Sequence, residues 1–383
     1  GSTTGGSNES VLSDLWEYKS GAWTYKGGQA LTGQCFDFPT SFGPGTPSAR
    51  SDAMSWTDLS GNFFMFGGYE SYNVPGNCNL GDAFNDLWEY SAGTWSWVNG
   101  SSAAKTKGTY NGINSTGTPG ARYWSTGARD SNGNFWMFGG YAYDSTGVLG
   151  YMNDLWEWNG TTWTWVSGSK THDPKGVYTG TPVPGGRIGA NSWIDSSGNF
   201  WVFGGIGWDS TTGSGFVGEM NDLWTFNTST SKWTFVGGSK TANAVGSYGT
   251  QGVADSSNVP GGRAWATSWL TPSGDVYILG GQQFGGGLFN DLWKYSGGQW
   301  TWIAPDMPSD SNPFINELGI YGTQGTANSA NAPGSREQGM NWTDASGNLW
   351  LFGGFGLGTI PVNGTTNVHA GFDSLQDLWE FQP

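Results

Sequence analysis

The sequence predicts an all-β protein, a β-propeller of four-stranded blades, on three observations. The motif Asn-Asp-Leu-Trp recurs in identical or similar form about every 70 residues, with its aspartates at Asp14, Asp86, Asp154, Asp222, Asp291 and Asp377. A second block, with an Arg, a Trp-rich run and a closing Phe-Gly-Gly, alternates with the first. Both blocks show strand-like alternation, and no segment shows helical periodicity. Four-stranded units repeated around an axis form a β-propeller.

Each repeat divides into two predicted hairpins. Residues 54–68, MSWTDLSGNFFMFGG, predict strands a and b around a Ser-Gly-Asn turn, and residues 86–98, DLWEYSAGTWSWV, predict strands c and d. Each repeat is expected to begin strand a at its arginine. The b–c and d–a connections vary in length and emerge on the same side of such a sheet. We therefore expect binding to use that variable-loop face.

The count of strands predicts five blades in a single domain covering residues 1–383. The blades are expected at about 50–98, 122–166, 187–236, 263–303, and 336–381 plus 14–26. An open sheet edge is an aggregation hazard, so the ring should close, with Ala22–Tyr25 supplying the outer strand of the last blade. One c strand is then surplus. A six-bladed ring with an incomplete first blade is the alternative.

The repeat motifs resemble those of a known family. The Gly-Gly that closes strand b, the aromatic residue in strand c, the Trp in strand d, and segments such as GSYGTQG (246–252) and PGGR (260–263) resemble kelch-repeat propellers of the long bacterial form. This family includes the galactose oxidase propeller, and the resemblance covers nearly the whole chain. A galactose oxidase-like activity would imply copper held by two His and two Tyr. Because His172 and His369 show no metal-site spacing, we expect no metal, no cofactor and no catalytic residue.

Composition narrows the classes of partner. The net charge is −15, only 12% of residues are charged, and 25 are Trp. Nucleic acid binding needs basic patches, and disorder needs few aromatic residues, so neither is expected. No apolar stretch is long enough to predict a transmembrane helix. Cys35 and Cys78 fall in loops on the same predicted face, which predicts a disulfide and an extracellular or cell-surface location.

Two sets of candidate binding residues follow from the pattern. The first is a cationic collar at the mouth of the central channel, formed by Arg50, Arg122, Arg187, Arg263 and Arg336. Guanidinium groups suit carboxylate or sulfate ligands, although pairing of each Arg with a nearby Asp-Leu-Trp aspartate is the simpler interpretation. The second set consists of aromatic residues in the variable loops: Tyr72, Tyr141, Tyr143, Trp208 and Phe355. The repeated tryptophans are expected to pack between blades instead.

These observations favour a secreted or cell-surface binding or adhesion module without catalysis, whose variable-loop face recognises a glycan or an extracellular protein. One alternative is a structural subunit that self-associates through residues 14–18 or 377–381. Another is a galactose oxidase-like or lyase-type enzyme with its centre at the channel mouth. A fold alone cannot decide among these.

Overall fold

The structure, a computed structural model, describes residues 14–19, 21–27, 45–74, 77–211, 217–304, 316–358 and 372–383, and only the backbone within 71–74 and 77–80. In these ranges the chain forms strands, turns and bends, which confirms the all-β prediction. The same ranges contain no helix that could cross a membrane.

The chain divides into two compact units. Unit 1 is Gly1–Pro174 with Gly185–Ile188, and unit 2 is Lys175–Pro184 with Gly189–Pro383. The predicted closed ring, its blade count and its single domain all concern the relation between these units and stay predictions.

Unit 1 holds an N-terminal hairpin and two repeats. The hairpin pairs two strands, Leu15–Lys19 and Ala22–Gly27. Strands a to d of repeat 1 pair in sequence order: Met54–Thr57, Phe63–Phe66, Leu87–Ser91 and Thr94–Asn99. Repeat 2 forms a six-stranded sheet from Ser115–Gly117, Arg122–Tyr123, Thr126–Arg129, Phe135–Tyr143, Leu149–Trp158 and Trp163–Ser167. A further short strand is Arg187–Ile188. The proposed completion of the last blade by Ala22–Tyr25 stays a prediction.

Unit 2 holds the sheets of repeats 3, 4 and 5. Strands a to d of repeat 3 are Asn191–Ile194, Phe200–Phe203, Leu223–Asn227 and Lys232–Gly237. Those of repeat 4 are Thr267–Leu270, Val276–Leu279, Leu292–Ser296 and Gln299–Ala304. Repeat 5 has three described strands, Met340–Thr343, Leu349–Phe352 and Leu378–Phe381, and a second sheet of Arg336–Glu337, Phe355–Gly356 and Asp373–Ser374.

The predicted turn between strands a and b is present. In repeat 1, Oδ1 of Asp58 accepts hydrogen bonds from the backbone N–H groups of Ser60 and Asn62, both at 2.8 Å. Asp130, Asp195 and Asp344 make the same pair of bonds in repeats 2, 3 and 5. An Asp side chain that satisfies two N–H groups fixes such a turn.

The b–c connections begin as paired strands, which the sequence interpretation missed. Beyond Gly-Gly each continues as a β-hairpin, here called the extension hairpin. In repeat 2 the extension hairpin is formed by the distal ends of the two long strands. In the other four repeats it has strands of its own: Tyr69–Val74 with Asn77–Ala83, Ile206–Trp208 with Val217–Glu219, Gln282–Gln283 with Gly287–Leu288, and Phe355–Gly356 with Asp373–Ser374.

Each arginine was expected to begin strand a, but strand a begins further along the chain. Arg122–Tyr123 forms a short strand of its own that pairs with the extension hairpin at Tyr141 and Ala142. The residue two positions after the Arg has left-handed backbone, with φ of 57° at Trp124, and this conformation interrupts the strand. The same interruption occurs at Asp52, Gly189, Trp265 and Gln338.

The Gly-Gly pair forms a corner that joins one repeat to the next. In repeat 4, Gly280 and Gly281 have φ of 67° and 98°, which suit glycine. The N–H of Gly281 donates to the carbonyl oxygen of Arg336 at 2.8 Å. A Cβ on Gly280 would lie 2.5 Å from that same oxygen. Gly68 and Gly205 donate in the same way to Arg122 and Arg263.

Aromatic side chains fill the space between neighbouring sheets within each unit. Trp56 of repeat 1 stacks on Phe135 of repeat 2 with ring centroids 3.9 Å apart. In unit 2, Trp269 of repeat 4 donates from Nε1 to the carbonyl of Trp350 in repeat 5 at 2.8 Å. The strand c tryptophans are buried in repeats 1 to 4: Trp88, Trp156, Trp224 and Trp293. Tryptophan therefore forms much of the packed interior of these sheets.

We predict that Gly280→Ala lowers the free energy of unfolding by about 2–4 kcal/mol, since it adds both backbone strain and a collision with the Arg336 carbonyl. The control is Gly274→Ala, also at positive φ but with open space around the added Cβ, and its loss should be about 1 kcal/mol. Urea unfolding of both variants measures the difference. Equal losses would contradict the role assigned to the corner.

Candidate binding site

In repeats 1, 2, 4 and 5, a buried arginine pairs with the aspartate at the start of strand c. In repeat 4 Arg263 is 1% exposed, and its Nη1 and Nη2 donate to Oδ1 and Oδ2 of Asp291 at 2.6 and 2.8 Å. Its remaining bonds go to the carbonyls of Gly261 and Gly280. The same pairing occurs in Arg50–Asp86, Arg122–Asp154 and Arg336–Asp377.

The prediction of a cationic collar is therefore wrong for these four arginines. Their guanidinium groups are buried and donate to the protein itself, which is the pairing with aspartates that the sequence left as the simpler interpretation. Arg187 is buried as well, and its Nε donates to the carbonyl of Gly185 at 3.2 Å. Each of these buried arginines depends on its partners, because a buried charge that loses its partner is strongly destabilising.

A tyrosine completes this network in repeats 2 to 5. In repeat 4, Oδ2 of Asp291 accepts from the Tyr248 hydroxyl and from Nε1 of Trp293, each at 2.7 Å. Burial, with a further contribution from Asp291, raises the pKa of Tyr248, so this hydroxyl keeps its proton. Equivalent bonds join Tyr110 to Asp154, Tyr178 to Asp222 and Tyr321 to Asp377. The sequence signal for these tyrosines was Gly-x-Tyr in each d–a loop.

We predict that Asp291→Asn lowers the free energy of unfolding by about 3–5 kcal/mol, because it leaves the Arg263 guanidinium buried without a counter-charge. Asp275→Asn is the matched control, since Asp275 pairs with Lys294 in a partly exposed ion pair. Loss of that exposed pair should change stability by at most about 1 kcal/mol. Chemical denaturation that gives similar values for both variants would contradict the assignment.

Unit 1 carries a line of tyrosines that we take as the candidate site. Tyr123, Tyr141 and Tyr151 lie directly opposite one another on three adjacent strands of repeat 2. Their ring centroids are 5.7 Å apart for the first pair and 5.2 Å for the second. Tyr69, from the extension hairpin of repeat 1, lies 4.9 Å from Tyr123. These four residues are here called the tyrosine row, and Tyr143 follows Tyr141 on the same face.

Neighbouring residues pack against two rings of the tyrosine row. The Tyr69 ring covers Gly81 so closely that any side chain at position 81 would collide with it. The Tyr123 ring also contacts Trp124, with centroids 4.7 Å apart. Burial raises the pKa of both Tyr123 and Tyr151, so their hydroxyls are protonated and available as hydrogen-bond donors and acceptors. Half-buried rings on paired strands give a preorganised surface.

The extension hairpin of repeat 1 carries charged residues on the face opposite Tyr69. Glu70 and Asp82 lie directly opposite each other on the extension hairpin of repeat 1, and Nζ of Lys105 is 2.6 Å from Oδ1 of Asp82. Glu70 is 5% exposed, and its Oε1 has no hydrogen-bond partner in the described part of the chain. Burial raises the pKa of Glu70 to about 7, against the influence of Arg50 and reinforced by Asp82. Lys105 and Asp82 also act on the pKa of Tyr143, which burial raises.

The structure brings two predicted binding residues, Tyr141 and Tyr143, into this site. It adds Tyr69, Tyr123 and Tyr151, which the sequence interpretation missed. The other candidates in unit 2 are Trp208, which is half-buried, and Phe355, which is 41% exposed and stacks on Phe372 at 6.0 Å.

Several predictions fall outside the described residues. The side chain of Tyr72 is not described, and Cys35 lies in an undescribed segment while Cys78 has only its backbone described. The disulfide therefore stays a prediction. His369 is also outside, and His172 places Nδ1 2.8 Å from Oδ2 of Asp144. Within the described ranges, no group of three or more His, Cys, Asp or Glu side chains is arranged to hold a metal ion.

No protein-family model matches the sequence, and no curated protein matches it either.

We predict that Glu70 makes stability fall as pH rises from about 4.5 to about 7. The folded protein keeps the Glu70 proton over this range while the unfolded chain releases it, so ionisation favours unfolding. Glu70→Gln removes this dependence and should be up to about 3 kcal/mol more stable than wild type at pH 8 and equal to it near pH 4. Thermal unfolding across pH measures the effect, with Glu380→Gln on the exposed surface as the charge-matched control.

Proposed function

We propose that the chain is an extracellular or cell-surface binding module without catalysis, and that its ligand is a glycan held on the tyrosine row. The observation that carries the proposal is the alignment of Tyr123, Tyr141 and Tyr151 across three adjacent strands, with Tyr69 extending the line. The proposed setting for this surface is a kelch-type β-propeller with five blades, supported by the repeated four-stranded sheets.

The chemistry of the row suits a sugar chain. Aromatic rings pack against the apolar C–H faces of sugar rings, and the phenolic hydroxyls exchange hydrogen bonds with sugar hydroxyls. Tyrosine supplies this contact area with few rotatable bonds, so little side-chain entropy is lost on binding. Because the rings stand on paired strands and contact one another, the surface need not be ordered by the ligand.

We predict that wild-type protein binds at least one glycan on a broad glycan array, and that Tyr141→Ala weakens that binding by about tenfold or more. Loss of a central tyrosine from a binding surface commonly costs 1–2 kcal/mol or more, and about 1.4 kcal/mol is tenfold in affinity. Tyr141→Phe keeps the ring and should lose less. Tyr25→Ala, on the exposed N-terminal hairpin, should bind as wild type does.

Two results would overturn this proposal. The first is the absence of binding to any glycan by the folded wild-type protein, which would leave a protein ligand or self-association as the function. In that case the half-exposed Trp16, Trp23 and Tyr25 of the N-terminal hairpin would be the place to look for contacts between copies. The second is glycan binding that Tyr141→Ala does not weaken.

A further inference from the structure

Repeat 5 places a carboxyl group where the other repeats have an uncharged side chain. The position directly follows each arginine, and its occupants are Ser51, Tyr123, Ile188, Ala264 and Glu337. Glu337 lies directly opposite Phe355 on the neighbouring strand, so these two side chains share one face of the sheet. Tyr123 and Tyr141 hold the corresponding places in repeat 2. Glu337 and Phe355 are therefore the counterparts, in unit 2, of two members of the tyrosine row.

The carboxyl group of Glu337 has no counter-charge. Among the described residues, its buried Oε2 has no hydrogen-bond partner and the side chain forms no ion pair. Burial raises the pKa of Glu337 to about 7, and no neighbouring charge contributes to this shift. The residue is half-buried, so part of its side chain meets solvent. A carboxylate that loses water without gaining a donor or a cation lowers stability, and such a cost points to function.

Two aromatic rings stand on the same face as Glu337. Ser374 lies directly opposite Phe355, and Phe372 stands two residues before Ser374, on the same side of its strand. The rings of Phe355 and Phe372 stack with their centroids 6.0 Å apart and their planes inclined by 24°. They are 41% and 42% exposed. The face of an aromatic ring is its electron-rich side, so exposed rings beside a carboxyl group attract cations.

We propose that this face of repeat 5 binds an organic cation with an alkylated ammonium group, which lies against the rings of Phe355 and Phe372 and pairs with the carboxylate of Glu337. These residues belong to unit 2, so the cation site is distinct from the tyrosine row of unit 1.

An alkylated ammonium suits this combination of groups better than a metal ion does. Its alkyl groups contact the apolar rings while its charge is attracted by the ring faces and by the carboxylate. A metal ion such as Ca²⁺ needs six or more oxygen ligands. In the part of the chain that the structure describes, no group of three or more His, Cys, Asp or Glu side chains is arranged to hold one. The net charge of −15 draws cations toward the protein.

The test uses choline, whose charge does not depend on pH, and 3,3-dimethylbutan-1-ol, which has the same shape without the charge. Calorimetry at about pH 8.5, where Glu337 is ionised, should show that wild-type protein binds choline about tenfold more tightly than the alcohol. At about pH 5.5 the Glu337 carboxyl is protonated. The affinity for choline should then fall about tenfold, while the affinity for the alcohol should stay the same.

Three variants assign the effect to its residues. Glu337→Gln should weaken choline binding at pH 8.5 by about tenfold and remove the pH dependence. Phe355→Ala should weaken binding of both compounds by about threefold or more, because the ring contacts each of them. Glu380→Gln is the control, since it changes the net charge equally on the exposed surface and should bind choline as wild type does.

Vesicles of phosphatidylcholine present the same ammonium on a lipid. Vesicle binding that Glu337→Gln weakens would identify a lipid headgroup as its source, whereas binding of free choline alone would identify a soluble cation.

Three results would overturn the cation site. One is the absence of choline binding by the folded protein at concentrations up to about 50 mM. Another is equal affinity for choline and the alcohol at pH 8.5. The third is a choline affinity that neither Glu337→Gln nor the change of pH alters. Glycan binding to the tyrosine row is measured separately, so its failure or success leaves these outcomes unchanged.

Discussion

The buried pair of an arginine and an aspartate is the interaction on which each repeat depends. The Asp stands at the start of strand c and the Arg before strand a, so their two hydrogen bonds join these two segments of one repeat. The strand c Trp and the loop Tyr attach to the same carboxylate. Burying two charges is favourable only when all their donors and acceptors are satisfied, which explains why these residues recur as a set.

With the interior fixed in this way, the extension hairpins are free to differ. They emerge beyond the Gly-Gly corner, and in repeat 2 the extension hairpin pairs with the short Arg strand. Repeats 1 and 2 use this freedom to present tyrosines, whereas repeat 4 places Gln282 and Gln283 on the corresponding strand. The repeated framework is common to all five repeats, so the side chains of the extension hairpins are where the repeats differ.

The sequence was sufficient to predict strands a to d and their turns, because alternation and Asp-x-Ser-Gly-Asn turns are local signals. It did not predict the extension hairpins or the tyrosines that lie next to Tyr141. The pairing of strands b and c shifts register between Phe138 and Gly140, so the alternation beyond that bulge cannot be continued from the strand before it. Tyr123 and Tyr151 lie on the two strands that flank the strand of Tyr141. Only the strand pairing shows that these residues are neighbours of Tyr141.

The Gly-Gly corner has a consequence for how such a chain changes length. Its bonds to the following repeat use main-chain atoms, the N–H of Gly281 and the carbonyl of Arg336, which any copy of the period can offer. A duplicated repeat could therefore form the same main-chain hydrogen bonds with the repeats before and after it, whatever side chains its extension hairpin carried. Ancestral gain of copies, followed by divergence of their tips, is the history that such joints permit.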